Sequence, residues 1–260
     1  MAASLSARAL AGLPELKSGD DLAALIAAAA REAGEALRDG QLLVIAHKAV
    51  SKCEGALASL RDVEPGERAR ELAAEAHDAT GEPRDARVVQ VVLDESAELL
   101  RAERGVLICR TRHGFVCANA GVDASNSPDD DTLILLPRDP DASARALRAR
   151  LRELTGARVG VLIADSFGRA WRHGQVDVAI GLAGMRALDD WRGRNDARGM
   201  PLRATWLAVA DAAAAAAELA RAKDSREPVV VLDGLERYAT DDDGSGAAAL
   251  LRALDEDLFR

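Results

Sequence analysis

Apolar positions along the chain switch repeatedly between the 3.6-residue repeat of amphipathic helices and short continuous runs of strand type. Ser18-Gly19-Asp20-Asp21 reads as a helix cap, and Leu22, Ile26 and Ala29/Ala30 then mark one face of a helix expected to run to about Leu37. Asp39-Gly40 turns the chain into a strand over Gln41 to Ala46, which leads into a lysine-bearing loop, His47-Lys48-Ala49-Val50-Ser51-Lys52. Glu54-Gly55 is a second turn, with a strand expected over Ala56 to Leu60. Pro65 opens a helix over Glu67 to His77 at its favoured first-turn position. His77, set among Ala, Glu and Asp, reads as a solvated or capping side chain. Another helix follows Pro83 through Val88, Val91 and Val92 toward Leu99. Its β-branched run suits a strand equally, but Asp94, Glu95 and Glu98 favour helix.

Val106 to Asn119 has the pattern of a hairpin, and Thr132 to Leu136 that of another strand. Asp139-Pro140-Asp141 caps a helix through Leu154, ended by Gly156, with Ala144, Leu147, Leu151 and Leu154 as its apolar stripe. Arg145, Arg148 and Arg152 then fall on a solvated face. A strand over Val159 to Ala164, a loop beginning at Asp165 and a short strand around Val176 to Gly181 come next. Leu188 to Arg203 is irregular and densely charged, which suits ion pairs around Trp191. A helix is expected from about Thr205 to Ala222, its six consecutive alanines (Ala212 to Ala217) suited to close packing. Val229 to Leu232 is a last strand, and Asp241 to Gly246 reads as a linker before a small amphipathic tail helix. There is no internal repeat. The irregular alternation with at least one hairpin predicts an α+β fold, with a mixed, partly antiparallel sheet and packed helices. Residues 1–235 are expected to form one unit, with 236–260 as linker and C-terminal helix.

Composition narrows this picture. At 260 residues the chain can bury a substantial core, and 48% hydrophobic residues with only 3% aromatics imply tight, alanine-rich helix packing. A net charge of −9 argues against a nucleic-acid or anionic-membrane surface. No run approaches the roughly 20 apolar residues of a membrane span, so neither signal peptide nor anchor is expected. Cys53, Cys109 and Cys117 show no metal-type spacing and fit a reducing cytoplasm, with Cys109 and Cys117 placed to face each other across the hairpin.

Two stretches carry candidate chemistry. Thr111 to Asn126 turns at His113-Gly114, then breaks into Asn119, Gly121, Asp123, Ser125 and Asn126. Short polar side chains with glycine for close approach suit a ligand, although the same residues are common in plain turns. The run ending at Ala164 is followed by Asp165-Ser166-Phe167-Gly168-Arg169, where α/β proteins often place ligands. If Asp123 and Asp165 converge, their repulsion of roughly 1–4 kcal/mol at ~4 Å calls for a proton or a cation. With Ser125, Asn126 and Ser166 nearby, a hard ion such as Mg²⁺ or Mn²⁺ is the natural choice. The chain has four lysines, Lys17, Lys48, Lys52 and Lys223, and two of them sit in one short segment, either by chance or because a compact point charge is wanted there for phosphate or carboxylate. Neither a P-loop nor a dinucleotide fingerprint is present.

The blocks G-L-P-E-L, S-G-D-D-L, H-K-A-V-S-K-C-E-G, T-R-H-G-F-V-C-A-N-A-G-V-D-A-S-N, L-L-P-R-D-P-D-A-S-A, E-L-T-G, A-D-S-F-G-R-A-W-R-H-G-Q-V-D-V-A-I-G and D-W-R-G-R, in order from about Gly12 to Gly234, closely resemble the coenzyme F420-0:γ-glutamyl ligase family. The resemblance implies a GTP-dependent ligase that joins the amine of L-glutamate to the carboxylate of coenzyme F420-0, γ-linked for later residues, through an acyl phosphate, releasing GDP and phosphate. It implies that Leu13, Pro14, Glu15, Leu16, His47, Lys48 and Lys52 contact GTP. Asp123 and Asn126 inherit metal and nucleotide roles, and Asp165 and Ser166 bind the divalent ions, Mg²⁺ or Mn²⁺, with K⁺ as a further candidate. Asp123, Asp165 and Lys52 are the expected catalytic residues. An intertwined two-part homodimer in the cytoplasm is also implied, with no nucleic-acid or membrane partner. Arg221 to Arg226 departs from the family's glycine-containing stretch, so no role carries over there. Two rival readings are a metal-dependent ligase for another carboxylate acceptor and an inactive nucleotide-binding regulator.

Overall fold

The computed structural model describes residues 4–75 and 83–257. In chain order the elements are β1 (Ser6–Ala9), α1 (Leu22–Glu32), β2 (Leu42–Ala46), α2 (His47–Glu54), β3 (Leu57–Ser59), α3 (Glu67–Glu75), α4 (Ala86–Asp94), β4 (Ser96–Glu103), β5 (Val106–Thr111), β6 (Val116–Ala118), β7 (Thr132–Ile134), α5 (Pro140–Thr155), β8 (Gly160–Arg169), β9 (Arg172–Ala183), β10 (Leu188–Asp190), β11 (Trp206–Ala208), α6 (Val209–Glu218) and β12 (Val229–Asp233). The fold is α+β with a mixed sheet, as expected.

The central sheet runs β1-β12-β2-β8-β9, with β2 and β8 parallel and the other neighbours antiparallel. Its middle strands carry continuous apolar runs, Leu42–Ala46 in β2, Val161 to Ala164 in β8 and Val229 to Leu232 in β12, because both faces are covered there. Successive side chains alternate between faces. Leu43, Ile45, Val161 and Ile163 pack with Ile26 of α1 and Leu151 of α5 on one face. Leu42, Val44, Leu162 and Ala164 pack with Ala210, Ala213, Ala214 and Ala217 of α6 on the other. Each fully buried Leu or Ile there contributes about 1.5–3 kcal/mol of apolar burial. The alanine run serves as predicted, its small side chains letting α6 lie close to the strands. A second layer holds the β4-β5-β6 sheet against α3 and α4, and the short β3–β7 pair packs Leu133 with Leu60 and with Val91 of α4 in a small core of its own.

Several boundaries differ from the sequence reading, each for a local reason. α1 ends at Glu32, not Leu37, because Gly34 takes a left-handed φ of 73° and the N–H groups of Ala33 and Glu35 close the last turn. His47 to Lys52 is helix, not loop. β2 passes straight into α2, which Gly55 ends in the left-handed conformation. α4 stops at Asp94, and Leu99 belongs to β4, where Glu98 pairs across the sheet with Arg110 at 2.6 Å. Pairing with β5 outweighs the local helical preference of that acidic run. Strand continues through Asp165 to Arg169 and resumes at Arg172, so the expected loop is a long hairpin arm turning at Ala170-Trp171. Trp206–Ala208 pairs with β10, which delays α6 to Val209, and the helix ends at Glu218 instead of Ala222.

α5 is capped as predicted: Asp139 accepts from the Ala142 N–H, and Gly156 ends it with a φ of 76°. Two of its side chains reverse their expected roles. Leu154 is exposed, while Arg148 is nearly buried and donates to the carbonyls of Val159, Thr240 and Asp241 and to Asp243. That clamp, with the Ala247 N–H donating to Asp141, binds the expected linker to the body. In place of a tail helix there are two 3₁₀ turns, Ala247–Leu250 and Leu254–Glu256. Ion pairing around Trp191 is as anticipated: Asp189 accepts from the indole N–H at 2.7 Å and pairs with Arg194. His77 lies outside the described residues. Among the described residues, no helix is long and apolar enough to cross a membrane.

Candidate active site

The site forms where the parallel strands β2 and β8 end side by side. Ala46 and Ala164 are register partners, so α2 leaves the sheet beside the point where Asp165 and Ser166 emerge. The carboxyl ends of adjacent parallel strands are where open sheets bind ligands, because the diverging chains leave a crevice there. A cavity of about 470 Å³ occupies this crevice. Leu13, Pro14, Glu15 and Leu16 border it from the N-terminal segment, His47, Lys48 and Lys52 from α2, Asn126 from the polar loop, and Asp165 and Ser166 from β8. Of the residues expected to contact GTP or metal, Asp123 alone does not line this cavity. It lines a neighbouring one of about 350 Å³, and Asp165 and Ser166 are common to both.

Helix formation by residues 47–54 gives the two lysines their geometry. Lys48 and Lys52 are one turn apart and share a face. Lys48 Nζ lies 2.5 Å from Asp123 Oδ2 and also donates to Ser125 Oγ. Lys52 Nζ lies 2.7 Å from Glu15 Oε1 and is largely buried. Burial pushes the Asp123 carboxyl up, but Lys48 and the Ser125 N–H together outweigh it and hold the group below the usual carboxylate range. The hydrogen bond and charge of Lys52 likewise hold Glu15 down. Ala46 provides no side-chain cap, which leaves the first N–H groups of α2 suited to an anion.

His47 is buried. Its Nδ1 lies 3.4 Å from Ser51 Oγ, and its Nε2 lies 3.3 Å from Asp165 Oδ1. That second contact is close enough for attraction but too poorly aligned for a hydrogen bond, so Nε2 is an unsatisfied polar atom at the wall of the site.

A polar network that the sequence reading missed braces the far wall. Ser166 Oγ donates to Asp177 Oδ1 at 2.6 Å and accepts from Lys223 Nζ at 2.6 Å. Asp177 is fully buried, its backbone N–H donates to Glu218, and its other oxygen takes an ion pair from Arg221. Arg221, Lys223 and Arg226 therefore border the cavity from the segment to which no role could be assigned. The signal was present in the hairpin: folding Asp165 to Asp177 about Ala170-Trp171 sets Ser166 opposite Asp177.

Two carboxylates, a hydroxyl and an amide supply only oxygen, the donor type that Mg²⁺ or Mn²⁺ prefers. Among the described residues no three His, Cys, Asp or Glu side chains converge into a self-sufficient metal cage. Cys109 and Cys117 are cross-strand partners, as expected, and both are buried. Burial, then the charge of Asp165, pushes the Cys117 thiol up to about 12, which leaves it protonated and unsuited to nucleophilic attack.

Residues 12–234 match the family model described as F420-0:Gamma-glutamyl ligase. The chain is 42% identical over 250 residues to the coenzyme F420:L-glutamate ligase of Methanothermobacter thermautotrophicus, covering 96% of each chain. It is 45% identical to the protein of the same name from Methanopyrus kandleri, over 95% of this chain and 94% of that one. For the Archaeoglobus fulgidus ligase the identity is 43%, over 96% and 94%.

Proposed function

The chain belongs to the F420-0:gamma-glutamyl ligase family, and from that premise we propose how it works as a coenzyme F420:L-glutamate ligase. GTP is the energy source. Its γ-phosphoryl group passes to a carboxylate oxygen of coenzyme F420-0, breaking the bond to GDP and forming an acyl phosphate. The amine of L-glutamate then attacks the acyl carbon, a C–N bond forms, phosphate leaves, and the amine loses a proton to solvent.

One observation carries this reading. The cavity at the strand ends brings Lys48, Lys52, Arg221, Lys223 and Arg226 together with Glu15, Asp165, Asp177, Asp224 and Glu227, cations suited to phosphate oxygens beside carboxylates suited to a divalent ion. Lys52, held by Glu15, offsets charge that develops as the phosphoryl group moves, and Lys48 does the same beside Asp123. Asp123, Asp165 and Ser166 would hold Mg²⁺ or Mn²⁺, with Asn126 beside them for nucleotide and K⁺ as an additional cation. The ion's contribution when bound is to neutralise charge on phosphate oxygens. Work in the cytoplasm and assembly as a homodimer complete the proposal. Met200, Trp206, Leu207 and Leu219, all exposed on the β10–β11 arm and the end of α6, support the second.

Incubation with coenzyme F420-0, L-glutamate, GTP and Mg²⁺ or Mn²⁺ tests the reaction. Glutamylated product, GDP and phosphate are expected in equal amounts, and hydroxylamine should trap a hydroxamate of the F420 precursor. A hydroxamate of glutamate would reverse donor and acceptor, and GTP turnover indifferent to the deazaflavin would overturn the reading.

A further inference from the structure

The second cavity contains a cation that makes no ion pair among the described residues. Arg84, half-buried just before α4, lines this cavity with Asp123, Asp165 and Ser166. Its Nη1 donates to the carbonyl of Gly105 at 2.9 Å and to Asn119 Oδ1 at 3.1 Å. Both acceptors are neutral. They orient the guanidinium without balancing its charge, and its Nε and Nη2 have no acceptor among the described residues. Burial accordingly lowers its pKa from the ordinary arginine value. A partly desolvated guanidinium with one edge unoccupied gains most from a carboxylate, which it can take in a bidentate fork.

Size and position narrow the ligand. About 350 Å³ lies near the lower end of the ~300–1,000 Å³ usual for small-molecule sites, and suits an amino acid better than a flavin-sized tricycle. The two cavities meet at Asp165 and Ser166, so a ligand here lies next to the cavity read as the nucleotide site and borders the same two residues. We propose that this cavity is the L-glutamate subsite and that Arg84 receives one of the two carboxylates, which leaves the amine directed toward Asp165 and Ser166. The assignment rests on the ligase reading given above.

Kinetics of Arg84→Met and Arg84→Lys, with each of the three substrates varied in turn, test it. The Met variant should raise KM for L-glutamate roughly tenfold to a hundredfold, the value of a charge-assisted hydrogen bond. KM for GTP and for coenzyme F420-0 should stay within about twofold. Precursor hydroxamate, formed with hydroxylamine and without glutamate, should appear at the wild-type rate. The preference for glutamate over glutamine or over glutamate α-amide should collapse for whichever amide replaces the carboxylate held by Arg84, a change that a purely structural role would not produce. Arg84→Lys should show the same shift at smaller size, and it carries the test if the Met variant does not fold. A raised KM for the precursor with glutamate unaffected, or hydroxamate lost together with product, would assign the cavity to the precursor instead. Unchanged glutamate KM and unchanged discrimination would remove Arg84 from the site. Wild-type protein that makes neither hydroxamate nor product would instead fail the ligase reading, and this assignment with it.

Discussion

His47 Nε2 and Asp165 Oδ1 face each other at 3.3 Å because each residue directly follows one member of the parallel register pair Ala46 and Ala164. The sheet itself thus sets Asp165 at the meeting point of both cavities. Asp165→Asn is expected to lower kcat for ligation by at least about a hundredfold, the scale for losing a group that stabilises developing charge, with the thermal unfolding midpoint little changed. Normal turnover by this variant at limiting Mg²⁺ or Mn²⁺ would exclude Asp165 from the metal site.

Lys52 is largely buried and anchored by Glu15, so it presents a fixed charge to the cavity. Lys52→Ala is expected to raise KM for GTP roughly tenfold to a hundredfold, from about 1.5–3 kcal/mol for a charge-assisted contact. KM for glutamate should move far less. The opposite pattern in steady-state kinetics would place this lysine with the amino acid.

Lys48 and the Ser125 N–H keep the Asp123 carboxyl below its ordinary range despite burial. The unfolded chain therefore takes up this proton at higher pH than the folded protein does. The stabilisation is complete above the ordinary carboxylate pKa of about 3.9 and is lost as pH falls through the lower folded value. Lys48→Met removes the main opposing influence, so the Asp123 titration followed by carboxyl-carbon NMR should move upward. The acid-side loss of stability traceable to Asp123 should shrink with it. An unmoved titration would show that the ion pair is not what holds this group ionised.

The Arg221–Asp177 pair is buried on both sides, and Asp177 is wholly shielded from solvent. Arg221→Met leaves a buried carboxylate without its closest counter-ion, a change that typically costs about 3–5 kcal/mol. Denaturant unfolding should register that loss, and adding Asp177→Asn should recover part of it. If the single variant were as stable as the wild type, this network would not brace the wall of the site.

A homodimer is expected in solution. Light scattering should give twice the chain mass at working concentration, and Leu219→Asp together with Trp206→Asp should shift the population toward monomer if the β10–β11 face is the contact. A monomer mass for the unaltered protein would end this expectation.

Much of the molecule was legible from local pattern. The apolar runs of β2, β8 and β12, the cap and stop of α5, the face of α1 and the hairpin holding Cys109 and Cys117 all follow from periodicity, turn residues and caps, whose causes lie within a few positions of the chain. The motif blocks likewise identified the family and pointed to ten of the 21 residues that border the first cavity. What the sequence could not determine depends on partners distant along the chain. Glu98 became part of a strand because Arg110 lies opposite it, and Arg148 left its solvated face because carbonyls about 90 residues away needed a donor. Arg221 and Lys223 joined the site because the β8–β9 hairpin carries Ser166 and Asp177 to them. Local pattern sets which elements form, since backbone conformation and capping are short-range. Which charges meet is decided only when the sheet register is set, because an ion pair between remote residues has no local signature and forms only once burial has brought both groups out of water.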